Sequence, residues 1–208
     1  MVLLLFSEYS SYHLFKYNRK FFSKYIILTK EVFQMNTIYL TSGPRGSGKS
    51  TYSKKIVSQL PNTIFISRDE ILIELFGKTS LDPYEGGHHY VMDILFGRLE
   101  KILQNVTGMH VILDCWNGFP QERRHIIQIL NGMGAVRIIC WVFVTPMDIC
   151  IQWFMSKPGS KGFSESGQKR DYSLFYEEAK NIRSDGFDQV YYINPLQKFL
   201  PFVDTCTK

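Results

Sequence analysis

Eight residues constrain this chain more than any others: Gly43-Pro44-Arg45-Gly46-Ser47-Gly48-Lys49-Ser50. They follow directly on an apolar run, Thr37-Ile38-Tyr39-Leu40-Thr41, and they lead into a stretch free of Gly and Pro that continues to Leu60. Glycines at 43, 46 and 48 let the backbone curl until successive N–H groups converge on one point. A helix starting at Lys49 aims the positive end of its dipole at the same point. An apolar strand, Gly-x4-Gly-Lys-Ser and a helix together make a Walker A phosphate loop.

The residue types assign the roles. Lys49 is expected to reach the β- and γ-phosphates of ATP, and Ser50 to ligate Mg²⁺. Thr51 belongs to the first turn of the helix, at the edge of the same binding stretch. Pro44, Arg45 and Ser47 complete the loop that surrounds the nucleotide.

Beyond the loop, short apolar runs alternate with helical stretches. Strands are expected at 37–42, 63–67, 110–115, 136–144 and 189–194, each rich in Ile and Val as strands covered on both faces should be. Helices are expected at 49–60, stopped by Pro61, and at 84–104, with Leu95, Leu99, Ile102 and Leu103 on one side. A third runs over 120–133, opened by Pro120 and closed by glycines. This alternation implies an α/β three-layer sandwich, a parallel sheet with helices on both faces, in one domain spanning 35–208.

Residues 1–34 stand apart. They are rich in Phe, Tyr and Lys without a period of two or of 3.6. The run Val2-Leu3-Leu4-Leu5-Phe6 has no basic stretch before it and is too short for a signal-peptide core or a membrane span. The expected explanation is a start assigned too far upstream, with Met35 the initiator. A docking extension and a cryptic targeting signal are the alternatives. The first 35 residues also carry +3 of the chain's net +5, leaving +2 for the remainder. That balance suits a phosphate site and does not call for a polyanionic partner. Cys115, Cys140, Cys150 and Cys206 show no metal-ligand spacing and read as reduced thiols of a cytoplasmic protein.

Two carboxylates stand where strands end. Asp114 closes Val111-Ile112-Leu113, at the sheet edge where open α/β folds bind ligands, and is suited to holding Mg²⁺. Asp69, in Ser67-Arg68-Asp69-Glu70 after the second strand, can take a proton from an acceptor hydroxyl, or it caps a helix beginning at Glu70. His88-His89 read as a helix-start surface pair. Trp141, Trp153 and Tyr191-Tyr192 read as packing.

Taken together, Gly46-Ser47-Gly48-Lys49-Ser50-Thr51, Arg68-Asp69, Asp114-Cys115-Trp116-Asn117 and Gln121-Glu122-Arg123-Arg124 resemble the polynucleotide-kinase-like branch of P-loop kinases, a group that includes ATP-binding AAA-domain and zeta-toxin-related proteins. The resemblance covers about residues 36–195. It implies Asp69 as general base, Asp114 as organiser of the site, and a mobile lid. Of Arg123 and Arg124, on one helix, one is expected to touch phosphate or adenine, with Arg124 the preferred candidate; a surface salt bridge is the alternative. The chain departs from the family twice. Leu72 stands where an arginine holds a nucleic-acid phosphate, and Phe154-Met155-Ser156-Lys157-Pro158-Gly159 lacks both lid arginines. Lys157, Lys161, Lys169 or Arg170 would then supply the cation over the γ-phosphate, with Lys161 and Arg170 preferred.

The function expected from this reading is transfer of the γ-phosphoryl group of ATP–Mg²⁺ to an acceptor hydroxyl, on a small molecule or a nucleic-acid end, away from any membrane. An ATP-binding regulatory or inactive kinase-like module and a toxin-type kinase are the alternatives. A mechanochemical AAA-type ATPase would need a helical lid domain and an arginine finger for a neighbouring subunit, for which the chain is short.

Overall fold

The computed structural model describes residues 35–79, 87–134, 136–157, 160 and 162–197, and of His88 only the backbone. The chain divides at Gln34/Met35, and all described residues lie in the unit Met35–Lys208. Five strands form one sheet: β1 (Asn36–Ser42), β2 (Thr63–Ser67), β3 (His110–Asp114), β4 (Val136–Phe143) and β5 (Gln189–Ile193). Their spatial order is β2-β3-β1-β4-β5, and every pairing is parallel. The five expected strands are thus found, each within a residue or so of its expected ends.

Six helices connect them among the described residues: α1 (Lys49–Val57), α2 (Arg68–Phe76), α3 (Gly87–Asn105), α4 (Pro120–Gly132), α5 (Met147–Met155) and α6 (Glu165–Glu178). The first helix ends at Val57, three residues before its expected end, and Leu60 only closes a turn back onto Ile56. Tyr84–Gly86, expected in α3, lie outside the described residues.

The alternation of side chains across a strand gives the sheet two different apolar faces. Ile38 and Leu40 of β1, Val111 and Leu113 of β3 and Ile138 of β4 meet Leu72 of α2, Val91, Leu95 and Leu99 of α3, and Ile126, Ile127 and Leu130 of α4. Tyr39, Ile112, Ile139, Trp141 and Phe143 face the other way, onto Tyr52 and Ile56 of α1. There Tyr52 sets its ring edge-on to both Trp141 and Phe143. Each such buried side chain contributes about 1.5–3 kcal/mol by leaving water. Trp141 is therefore core, as expected, whereas Tyr192 is exposed. Cys115, Cys140 and Cys150 are free and buried; Cys206 lies outside the described residues. His89 is an exposed residue of the first turn of α3.

For the site, the register matters most. Ser67 at the end of β2 is aligned with Asp114 at the end of β3, and β1 lies beside β3. The chain segments that leave β1, β2 and β3 therefore emerge side by side at one sheet edge. No helix among the described residues is long and apolar enough to cross a membrane.

Candidate active site

β1 hands the chain to the glycine loop, and α1 begins at its far end. Gly46 has φ +74°, and a Cβ there would sit 2.0 Å from the Cys150 carbonyl oxygen, so only glycine fits the turn. The loop is braced from outside. Thr145 Oγ1 donates to the Ser47 carbonyl at 2.7 Å, and Tyr172 of α6 donates to the Thr145 carbonyl at 3.1 Å.

Lys49 lies folded back over the loop. Its Nζ donates to the carbonyls of Gly43 (2.8 Å) and Pro44 (3.0 Å) and, at 3.5 Å, to Ser47 Oγ. Burial pushes the pKa of this ammonium below the ordinary lysine value, with the negative charge of Asp114 the main opposing influence. Lys49 is thus a half-buried cation held against the loop and facing the cavity.

Asp114 receives two hydroxyl hydrogen bonds. Thr41 Oγ1 donates to Oδ1 at 2.9 Å and Ser50 Oγ donates to Oδ2 at 2.8 Å. Asp69, first-turn residue of α2, keeps 62% of its side chain exposed and has Arg68 Nη1 at 3.4 Å. Burial against the cavity wall raises its carboxyl above the usual aspartate range. Arg68 opposes the rise and the charge of Asp114 reinforces it. The solvent that still reaches the side chain limits the shift.

One cavity of about 450 Å³ joins these groups, with four cationic and two acidic side chains among its described lining residues: Arg45, Lys49, Arg68 and Lys157 against Asp69 and Asp114. It has two halves. On the side of β4, the walls are Phe154 and Lys157 from α5 and the turn after it, and Phe163, with Phe154 and Phe163 edge to face at 5.1 Å. Arg45 leans that way, 4.8 Å over the Phe163 ring and 4.0 Å from Asp171. On the side of β2 and β3, the walls are Arg68, Asp69, Thr79, Cys115 and Trp116.

Of the expected nucleotide residues, Gly43, Arg45, Gly46, Ser47, Gly48, Lys49, Ser50 and Thr51 line the cavity, and Pro44 takes part through its carbonyl. Three of the expected arginines and lysines are not among the described residues that line the cavity. Arg124 pairs with Asp185 at 3.1 Å. Arg170 is exposed on α6 and does not line the cavity. Lys161 lies outside the described residues, while Lys157 is in the wall.

Arg123 is fully buried and forms no surface salt bridge. The helical period of α4 sets it on the buried face with Ile126, Ile127 and Leu130. There it pairs with Asp185 (2.6 Å) and donates to the carbonyls of Asn117, Gly118 and Glu178. It holds the loop that follows Asp114. Asn117 fastens the same loop to β1, donating to the Thr41 carbonyl at 2.8 Å. Thr41 and Thr145 escaped the sequence reading because their partners, Asp114 and Ser47, are remote in the chain; Trp116 escaped it because its exposure in the cavity is set by the folded surroundings.

The family comparison agrees with this geometry. The AAA domain family matches residues 38–169. None of the curated proteins compared with the chain matches it significantly. Among solved structures, a chain of the Pnkp1/Rnl/Hen1 RNA repair complex superposes with a TM-score of 0.61 at 18% identity, covering 71% of this chain and 46% of that one. This protein thus spans less than half the length of that relative. A shikimate kinase from Bacteroides thetaiotaomicron gives 0.52 at 14% identity, covering 78% and 89%. A fungal RNA kinase gives 0.50 at 16%, covering 77% and 75%. The chain belongs to the AAA domain family of P-loop proteins, and its fold is that of the polynucleotide-kinase-like and related P-loop kinases.

Proposed function

We propose that the protein is a kinase that moves the γ-phosphoryl group of ATP to a hydroxyl of a second molecule. The observation that carries this is the single cavity in which the phosphate loop and Asp69 are both exposed. A carboxylate that shares an open cavity with a phosphate loop is placed to take the proton of a hydroxyl brought to the γ-phosphate.

In this reading the loop N–H groups and the start of α1 bind the phosphates. Lys49 leaves the Gly43 and Pro44 carbonyls for the β- and γ-phosphates. Lys157, with Arg45 held over Phe163, offsets charge from the side of β4. Asp69 accepts the proton of the acceptor hydroxyl as its oxygen attacks phosphorus, and the ADP oxygen leaves on the opposite side.

The residues present also fit a magnesium ion. Among the described residues no group of three or more His, Cys, Asp or Glu side chains gathers as a metal cage. What the site offers is one carboxylate with hydroxyl oxygens around it, Asp114 with Ser50 and Thr41. That all-oxygen set is what Mg²⁺ takes from a protein when phosphates complete its shell. Ser50 and Asp114 would hold it, and it would neutralise charge on the β- and γ-phosphates.

The test is incubation of the full chain with γ-labelled ATP, Mg²⁺ and a panel of hydroxyl compounds and nucleic-acid ends. Label transferred to an acceptor above plain hydrolysis, and absent from Lys49→Ala, is the expected result. ATP binding without transfer to any acceptor would favour a regulatory nucleotide-binding module, the reading supported by the missing lid arginines.

A further inference from the structure

We propose that the acceptor is a small alcohol built on a ring, and that Trp116 fixes this specificity by presenting its indole face to the ring. The proposal rests on the kinase reading above and names the substrate class of the same site.

Two tryptophans of this chain show the contrast. Trp141 is buried between Tyr39 and Tyr52, as a core indole should be. Trp116 is 50% exposed and lines the cavity two residues after Asp114. A large ring left open to water forfeits much of its burial energy, and large exposed apolar groups in a cleft mark contact sites.

The ring is nonetheless fixed. Its Nε1 donates to Glu122 Oε1 at 2.8 Å, and the other oxygen of that carboxylate accepts the Phe119 N–H at the start of α4. Phe119 meets the indole at a steep angle, with centroids 6.4 Å apart. Gly118 supplies the space: a Cβ there would lie 2.7 Å from Cζ2 and 3.1 Å from Cη2 of the indole. The loop beneath is itself clamped by Arg123, so the platform is preorganised rather than floppy.

Position within the fold assigns the platform to the acceptor. Trp116 follows β3 and Asp69 follows β2, both on one side of the phosphate-loop strand, while Phe154, Lys157 and Phe163 come from the other side. A fixed indole face binds flat faces. An aromatic base stacks on it, and the C–H face of a sugar ring lies against it. Charge argues against a polyanionic strand in this half. Leu72, one turn into α2 from Asp69, is fully buried in the core, and Arg68 is already beside Asp69. Asp69 and Thr79 are polar groups of this half that can meet ring hydroxyls.

The test titrates the ATP-loaded full chain with nucleosides, hexoses and amino sugars, acyclic polyols, and a 5′-hydroxyl oligonucleotide, reading tryptophan fluorescence and label transfer in parallel. Ring alcohols are expected to change the fluorescence, with the change lost in Trp116→Phe, and the nucleoside and sugar arms tell which ring is taken. Trp116→Ala should raise KM for the acceptor about tenfold to a hundredfold, the loss expected for one stacking partner, with ATP affinity and kcat little changed. Trp116→Phe should recover most of the KM. Trp116→Leu keeps apolar bulk without a flat face, and carries the same test if the alanine variant is unstable. Acyclic polyols serving as well as ring alcohols, an unmoved KM, no response to any compound, or preference for the oligonucleotide over its nucleoside would each overturn the proposal. Ring alcohols that bind without being phosphorylated would instead overturn the kinase reading and leave the ring site standing.

Discussion

The two halves of the cavity are built by different means. The phosphate half is built on backbone, three glycines, a helix start and the carbonyls that hold Lys49 in reserve, with Phe154, Lys157 and Phe163 as its outer wall. The half beside β2 and β3 is made of side chains, with Asp69, Arg68 and Trp116 brought together only because two neighbouring strands end in register. Backbone geometry suits a ligand that is the same across a superfamily. Side chains can be exchanged one at a time. Leu72, where the resemblance sets an acceptor-side arginine, is a core residue, and the indole of Trp116 stands half exposed in the cavity wall. The difference teaches that nucleotide and acceptor should respond independently to mutation.

Lys49→Ala is the largest test of that independence. It should remove transfer to background while the protein remains folded, because the ammonium contacts the loop and not the core. Circular dichroism and a labelled-ATP assay check both parts. Full activity in the folded variant would break the phosphate-half assignment.

The pH dependence sharpens the other half. A general base must be deprotonated, and burial places the carboxyl of Asp69 above the usual aspartate range. The acidic limb of kcat/KM should therefore lie at higher pH than an ordinary aspartate would give, falling about tenfold per pH unit below it. ATP affinity should not follow that limb. A rate that stays flat through the limb would remove Asp69 as the base.

Gly46→Ala should act on stability as well as on nucleotide binding. The positive φ and the 2.0 Å approach to the Cys150 carbonyl together cost about 1–3 kcal/mol, lowering Tm by about 2–4 °C per kcal/mol. An unchanged melting curve would mean the loop relaxes without penalty. The smallest effect is expected from a chain shortened to begin at Met35, which we propose keeps ATP affinity and stability within about 0.5 kcal/mol. Aggregation of that chain would show that residues 1–34 belong to the domain.

The same contrast explains what was legible in the sequence. The loop and its strand are local patterns, so Gly43 to Ser50, β1 and the carboxylate ending β3 could be read directly. The sheet itself followed from Ile- and Val-rich runs of strand length. Tertiary partners could not be read. Arg123 looks like a surface charge, but one turn of helical phase buries it against Asp185. Arg124 one residue later pairs with the same aspartate. α5 carries apolar residues on most sides, and no periodic polar face announced it. Trp116 had no signal beyond its place in Asp114-Cys115-Trp116-Asn117, since exposure is a property of the surroundings.

The central claim is that Asp69 performs chemistry beside a nucleotide it does not hold. Asp69 lies in the first turn of α2 and does not cap it, so Asp69→Asn keeps size and polarity and removes only the charge and the proton acceptor. ATP titration and acceptor phosphorylation should be measured on the same preparation of this variant. Nucleotide affinity should be nearly unchanged while transfer falls by about 10²–10⁴-fold. Near-normal transfer, or a parallel loss of nucleotide affinity, would contradict the account.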